Sequence, residues 1–158
     1  MHKAKELQYH TKMINSGRYV NDSMGRYIGK KVVKKIISQG KNILGAHVLV
    51  MGMTFKENVS DIRNSKVADI INEFKDFGAE VDVMDPFASP LEVLQEYGIR
   101  LVERPGKKYD AVVVAVAHTT YLKLDESYFM SITNEHAVLA DVKGVYRGSI
   151  HQMIYWSL

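Results

Sequence analysis

Two kinds of apolar pattern follow one another along the chain. Between Ser23 and Ile37, apolar residues recur every three or four positions with lysines between them, which predicts a long amphipathic helix. From Ala46 to Met53 the chain is almost continuously apolar, as expected of a strand buried on both faces of a parallel sheet. The sequence therefore divides into a helical segment over residues 1–42 and a second architecture over residues 43–158.

After this first strand, helical and strand patterns alternate. Asn64 to Phe77 has the spacing of a helix and Glu80 to Met84 that of a strand, which completes one βαβ unit. The further predicted elements are helices at Pro90–Tyr97 and Asp125–Ser131 and strands at Ile99–Val102, Ala111–Val116 and Ala137–Asp141. The sequence thus predicts an α/β fold, a Rossmann-like three-layer sandwich with a mostly parallel sheet, preceded by a long amphipathic helix.

Composition narrows the classes of function. Residues 1–158 contain no apolar run of about 18 residues and no secretory core near the start, so we expect a soluble, cytoplasmic protein without membrane contact. Cysteine is absent, which excludes disulfides, thiolate metal sites and a cysteine nucleophile in these residues. The histidines show no metal-binding spacing, so no metal is expected. Ten of the 21 Lys and Arg residues lie in the first 41 positions, and charge alone leaves nucleic acid, nucleotide and acidic partners open.

Candidate chemistry lies where predicted strands end, because open α/β sheets bind ligands outside the carboxyl ends of their strands. Lys56 and Arg63 follow the first strand near a predicted helix N-terminus, where free N–H groups favour an anion. They could equally be charges on a solvated loop. Ser60 and Asp61 are interpreted as helix caps. Lys143 follows the last strand, as a ligand group facing the same crevice or as a turn lysine.

Two other segments carry alternatives. Asp85, before Pro86, stands where dinucleotide-binding sheets place an acid for the ribose, but only Gly52 follows the first strand and GxGxxG is not satisfied. We therefore interpret Asp85 as turn chemistry and expect no independent NAD site. The segment from His118 to Tyr121 contacts a ligand or is an ordinary loop.

Four segments together resemble the UDP-glucose/GDP-mannose dehydrogenase family, particularly the bacterial UDP-N-acetylhexosamine branch that makes uronic acids for surface polysaccharides. They are Gly17–Met24, Gly52–Ser65, Asp85-Pro86 and Asp141–Gly144. The resemblance implies an N-terminal domain that binds NAD, a central helical connector that mediates dimerisation and a C-terminal domain that holds UDP. The family's catalytic cysteine precedes the segment that Lys3–His10 resembles, so no catalytic residue is expected here and the chain alone should be inactive.

By position, the resemblance gives roles to individual residues. Phe55 and Lys56 correspond to residues that touch the UDP-sugar, with Lys56 near the diphosphate. Lys143 corresponds to a substrate-contacting arginine or lysine, and Arg18 to a residue that serves a neighbouring subunit's substrate site. Arg63 corresponds to an arginine that reaches toward the NAD side of the cleft.

Three functions follow from these patterns. The first is a dehydrogenase fragment that binds a UDP-sugar and forms a homodimer through the apolar face of its connector helix, around Ile28 and Val32. The second is a stand-alone nucleotide-binding or regulatory module without redox activity. The third, a nucleic-acid surface on the basic helix, is set aside because no recognition motif accompanies the lysines.

Overall fold

In the computed structural model, one five-stranded sheet forms the centre of the fold. The structure describes residues 12–158, with side chains from residue 22 onward. Its elements are α1 (Lys12–Ser38), β1 (His47–Met51), α2 (Val67–Asp76), β2 (Glu80–Met84), α3 (Pro90–Tyr97), β3 (Tyr109–Val114), a 3₁₀ turn (Tyr121–Lys123), α4 (Glu126–Ser131), β4 (Thr133–Asp141) and β5 (Ile154–Ser157). All strand pairs are parallel and the order is β2-β1-β3-β4-β5, which confirms the predicted α/β, Rossmann-like fold.

One predicted strand is absent and one strand was not predicted, both at edges of the sheet. The strand predicted over Ile99–Val102 is wrong, because only one bridge, between Leu101 and Val83, forms before the chain turns away. β5 was not predicted, because its four residues are all partly exposed and lack a continuous buried run. Its Trp156 packs against the main core. Edge strands bury one face poorly, so their sequences carry weak periodicity.

Two apolar clusters cover the two faces of the sheet. The larger includes Val50 and Val113 from the sheet, buried residues of α1 and α2, and Val93 of α3. The smaller places Leu49 and Val112 against Phe129 of α4. Successive residues of β1 thus point to opposite faces, and both are buried. This explains why the central strands are continuously apolar in sequence.

Helix α1 lies directly on α2. A Cβ atom added at Gly25 would fall 2.6 Å from Cβ of Asp69, and one added at Gly29 would fall 2.7 Å from Cβ of Glu73. These distances are too short for any side chain, so the two glycines allow the backbones to approach closely. No helix in the described part of the chain, α1 included, has the length and apolar character to cross a bilayer.

The apolar face of α1 is buried within its own chain. Ile28 and Val32 are 3% and 0% exposed and belong to the main core, together with Val33 and Ile36. Each such side chain contributes about 1.5–3 kcal/mol when fully buried. The prediction that Ile28 and Val32 form the self-association surface is therefore wrong, because both are buried within the chain. A homodimer through α1 would have to use other residues of this helix. The boundary at residues 42 and 43 stays a prediction.

Candidate functional site

The main cleft lies where the strand order of the sheet reverses. From β1 the chain passes outward to β2 and then returns to β3 on the other side of β1, so the carboxyl ends of β1 and β3 flank a topological switch point. A cleft of about 550 Å³ opens there. Its lining comes from α1 (Asp22, Met24, Gly25, Ile28), the loop after β1 (Thr54, Phe55), the start of α2 (Asn64, Ser65, Lys66, Val67, Ile70) and the ends of β3 and β4 (Ala115, Val116, Val142, Lys143).

Gly52 allows the two strand ends to meet. Its φ is +95°, and a Cβ atom there would fall 2.5 Å from Cβ of Val116 and 2.8 Å from its backbone nitrogen. Val116, which follows β3, fills the space that a side chain would need. Gly52 N–H also donates to the carbonyl of Met84 over 2.8 Å, which ties the ends of β1 and β2 together. The position thus requires glycine both for its backbone conformation and for the close approach.

The loop after β1 presents Phe55 and Lys56. A hydrogen bond of 2.7 Å from Phe55 N–H to the carbonyl of Asp61 closes the loop, and Thr54 Oγ1 donates to the carbonyl of Lys56 over 3.0 Å. Phe55 lines the cleft with 58% of its surface exposed. Lys56 is exposed and does not line the cleft. The loop therefore presents an aromatic face to the cleft and an ammonium to solvent.

Asp85 organises the ends of β1 and β2. Its Oδ2 accepts from the backbone N–H groups of Met53 (2.5 Å) and Thr54 (3.0 Å), and its Oδ1 from those of Phe87 (2.7 Å) and Ala88 (3.0 Å). The predicted turn chemistry is confirmed.

The buried carboxyl of Asp85 has a lowered pKa. Burial alone would raise the pKa of Asp85, but the hydrogen bonds from His118 and from the N–H groups of Met53 and Phe87 outweigh it and lower the pKa from 3.8 to about 2. Because the carboxylate is fully committed, it has no oxygen left for a ribose. Together with the missing glycine pattern after β1, this means that the ends of β1 and β2 do not fit the ribose and pyrophosphate of a dinucleotide.

His118 follows β3 and is 0% exposed. Its Nδ1 lies 3.0 Å from the backbone nitrogen of Asn58, and its Nε2 lies 3.0 Å from Oδ2 of Asp85. An amide N–H only donates, so Nδ1 accepts and Nε2 carries the proton that is donated to Asp85. The rings of Phe87 and Tyr121 lie 4.8 and 5.5 Å away. The imidazole is thus inaccessible to a ligand. Of the two predicted alternatives for this segment, His118 therefore does not follow the one of ligand contact.

Lys143 lines the cleft and pairs with Glu57, with 2.8 Å between Nζ and Oε1. This hydrogen bond is the main reason why the pKa of Glu57 is lowered. The turn that carries Lys143 is fixed by buried Asp141, which accepts from the N–H groups of Gly144 (2.9 Å) and Tyr146 (2.7 Å). Lys143 is therefore a turn lysine that lines the cleft, and its role as a ligand group stays a prediction.

Arg63 lies in a different place. It forms a two-pronged pair with Asp61, with Nε–Oδ1 of 2.9 Å and Nη2–Oδ2 of 2.8 Å. The arginine side chain is 80% exposed. This pairing lowers the pKa of Asp61 to about 2 and raises that of Arg63. Both line a second cleft, of about 460 Å³, with Glu92 and Glu96 of α3.

The start of α2 differs from the prediction. Ser60 and Asp61 are not its caps, because the helix begins only at Val67, whose N–H donates to Oγ of Ser65 over 3.3 Å. Lys66 at this end pairs with Asp22 of α1 over 2.9 Å, which raises the pKa of the lysine. Sequence reasoning missed this cation because its partner is 44 positions away.

The structure places Phe55 and Lys143 in one cleft, whereas Lys56 is exposed outside its lining and Arg63 lines the second cleft. The side chain of Arg18 and the segment Lys3–His10 lie outside the described residues. Sequence reasoning missed Glu57, whose contact joins two loops, and Lys66, whose contact joins the start of α2 to α1.

Comparison with known proteins identifies the family of the chain. A family model described as the UDP-glucose/GDP-mannose dehydrogenase family, UDP binding domain, matches residues 49–148. The UDP-N-acetyl-D-glucosamine 6-dehydrogenase of Pseudomonas aeruginosa is 39% identical over 143 residues, which are 90% of this chain and 34% of that protein. Protein CapL of Staphylococcus aureus is 38% identical over 91% of this chain and 34% of its own length.

Solved structures are similar over the same extent. The UDP-N-acetyl-mannosamine dehydrogenase Cap5O of S. aureus has a TM-score of 0.73 at 28% identity, covering 94% of this chain and 34% of that one. A UDP-D-ManNAc dehydrogenase from Pyrococcus horikoshii has a TM-score of 0.81 at 15% identity, covering 98% and 35%, which shows the shared fold. This chain spans about a third of the length of the relatives it matches. The chain therefore belongs to the UDP-glucose/GDP-mannose dehydrogenase family and corresponds to its C-terminal UDP-binding domain.

Proposed function

We propose that this chain binds the UDP moiety of a UDP-sugar in the cleft between the ends of β1 and β3. The observation that carries the proposal is the convergence of Phe55, Lys143 and the N-terminal end of α2 on that one cleft. The partial positive charge at a helix start and a nearby ammonium stabilise phosphate oxygens. Lys56, exposed on the same loop as Phe55, supplies a second charge for the diphosphate.

The ion pairs at the cleft are compatible with an incoming anion. Lys143 is 57% exposed and Lys66 is 41% exposed, so neither pair is strongly desolvated. Exposed pairs contribute only about 0–1 kcal/mol, and a diphosphate can compete with Glu57 for Lys143 at small cost. Phe55 offers an apolar face large enough to cover a base or a sugar.

For the whole protein we propose an NAD-dependent UDP-sugar 6-dehydrogenase, cytoplasmic and homodimeric, that converts a UDP-hexose or UDP-N-acetylhexosamine to its uronic acid. The relatives named as such dehydrogenases support this proposal. Arg63 would then face the NAD side from its separate surface, and Arg18 a neighbouring subunit's substrate. The chain itself supplies binding and no redox step, because it contains no cysteine and the ends of its β1 and β2 form no dinucleotide site.

Calorimetric titration with UDP, UDP-N-acetylglucosamine and NAD tests the binding proposal. We expect both uridine ligands to bind and NAD not to bind. Lys56→Ala and Lys143→Ala should each weaken UDP binding by about 1–3 kcal/mol, the usual value for a charge-assisted hydrogen bond. The matched control is Lys75→Ala, at the opposite end of α2. Binding of NAD alone, or equal losses in all three variants, would overturn the assignment.

A further inference from the structure

We propose that His118 is a positioning residue that holds the loop after β1 in its ligand-binding shape, through the acceptor atom Nδ1 and not through contact with the ligand. This inference rests on the proposed function, since the loop carries Phe55 and Lys56. His118 is fully buried. Its Nδ1 contacts the backbone nitrogen of Asn58, and its Nε2 contacts Oδ2 of Asp85 at 3.0 Å and Oγ1 of Thr54 at 3.3 Å.

The contact with the loop occurs at a residue with a left-handed backbone conformation. Asn58 has φ of +57°, a left-handed conformation that costs energy for a residue with a side chain. Its backbone N–H donates to Nδ1 of His118, and its side-chain Oδ1 accepts from the N–H of Thr119 over 2.9 Å. Both bonds come from the same two neighbouring residues after β3. Together they fix the strained turn two positions after Lys56.

The other nitrogen connects His118 to a fixed reference point. Nε2 donates to Oδ2 of Asp85, the atom that also accepts from Met53 and Thr54 at the end of β1. Asp85 therefore anchors the beginning of the loop directly and its middle through the imidazole. Since Nδ1 faces a donor and Nε2 faces an acceptor, only the tautomer with the proton on Nε2 satisfies both contacts.

Two amide variants separate the two bonds. In His118→Asn, the side-chain oxygen occupies the place of Nδ1 and can accept from Asn58, whereas the bond to Asp85 is lost. In His118→Gln, the amide nitrogen reaches the place of Nε2 and can donate to Asp85, whereas Asn58 loses its acceptor. Both variants shorten or reshape a buried ring, so both should lower the thermal unfolding midpoint.

UDP affinity distinguishes positioning from general stability. We expect His118→Gln to weaken UDP binding about tenfold, the effect of losing one hydrogen bond of typical strength, and His118→Asn to stay within about threefold of wild type. Tyr121→Phe is the matched control. It removes the 3.2 Å hydrogen bond to the carbonyl of Met84 beside the imidazole but leaves Asn58 untouched. This control should lose stability without losing affinity.

Amide hydrogen exchange at Asn58, measured by NMR without ligand, provides a readout independent of UDP. Protection of this amide should persist in His118→Asn and disappear in His118→Gln. Equal UDP affinities in the two variants, or losses that follow thermal stability across all three, would overturn the proposal.

The two proposals fail in different ways. If the wild-type chain does not bind UDP, the proposed function fails, and exchange at Asn58 alone then decides the role of His118. Loss of protection only in the Gln variant supports the positioning role of the imidazole, and equal protection in both variants overturns it.

Discussion

Lys143 and Glu57 form an ion pair, with 2.8 Å between Nζ and Oε1, that joins the loop after β4 to the loop after β1. The pair lowers the pKa of Glu57, so the carboxylate is ionised at neutral pH beside the cleft cation. A bound diphosphate would share Lys143 with this carboxylate and would be repelled by it. The pair thus weakens the attraction of the empty cleft for anions.

Glu57→Gln should therefore tighten UDP binding. We expect a gain of about 1.4- to fivefold, which corresponds to the ~0.2–1 kcal/mol of an exposed ion pair, and a smaller gain at high salt. Calorimetric titration at two salt concentrations measures it. Glu96→Gln, on α3 in the second cleft, is the matched control and should change nothing. Weaker binding by Glu57→Gln would instead mean that the carboxylate holds Lys143 in its binding position.

Asp85 should make stability depend on pH in the acid range. Its pKa is lowered from the ordinary value of 3.8 to about 2 in the fold, so the unfolded chain takes up this proton first as pH falls. The stabilisation is complete above about pH 4 and is lost as pH falls toward about 2. It amounts to roughly 2 kcal/mol. Asp85→Asn should lower the free energy of unfolding near neutral pH and flatten this dependence, as urea unfolding across the range would show.

Asp61→Asn is the control for the Asp85 variant. The pKa of Asp61 is also lowered to about 2, by its hydrogen bonds with Arg63, but both side chains are exposed. Solvent and salt screen that interaction, so we expect a small effect that disappears at high ionic strength. An equal acid dependence in wild type and Asp85→Asn would show that another carboxyl dominates.

The fold was largely predictable because the central strands are buried on both faces. β2 and α3 were predicted residue for residue, and the apolar run at β1 located the centre of the sheet. β5 was missed because an edge strand with four partly exposed residues has no distinct pattern. The burial of α1 against α2 depends on Gly25 and Gly29, whose spacing is visible in sequence but whose partner helix is not.

The lining of the cleft was predictable in part. The segment from Gly52 to Ser65 contains Phe55, and the strand-end rule indicated Lys143 in the same crevice, whereas the role of Lys56 stays a prediction. The partner of Asn58 lies 60 positions away at His118, and no local pattern indicates that pairing. Residue type gave the chemistry of His118, while its burial and its two hydrogen bonds required the structure.

Gly25→Ala and Gly29→Ala should each destabilise the chain. The added methyl group would lie 2.6–2.8 Å from atoms of α2 and force the helices apart. Overpacking of this kind costs about 1–3 kcal/mol, which outweighs or offsets the ~1 kcal/mol gain in helix propensity. Thermal or urea unfolding measures the change. Gly106→Ala, where a Cβ atom would meet nothing within 4 Å, should be neutral. Unchanged stability in both helix variants would show that α1 is not packed on α2 as described.

Self-association through α1 should depend on its exposed residues. Tyr27 and Ile37 are 46% and 50% exposed, whereas Ile28 is 3% exposed within the chain's own core. We expect Tyr27→Asp combined with Ile37→Asp to shift a homodimer to monomer in sedimentation velocity runs while the chain stays folded. Ile28→Asp should instead unfold the chain, because a buried charge without a partner is strongly unfavourable. Leu91→Asp, at an exposed position of α3, is the matched control and should leave the mass unchanged. An unaltered dimer in the double variant would place the interface on another face. The remaining exposed residues around these two positions of α1 are mainly lysines, which are not readily buried.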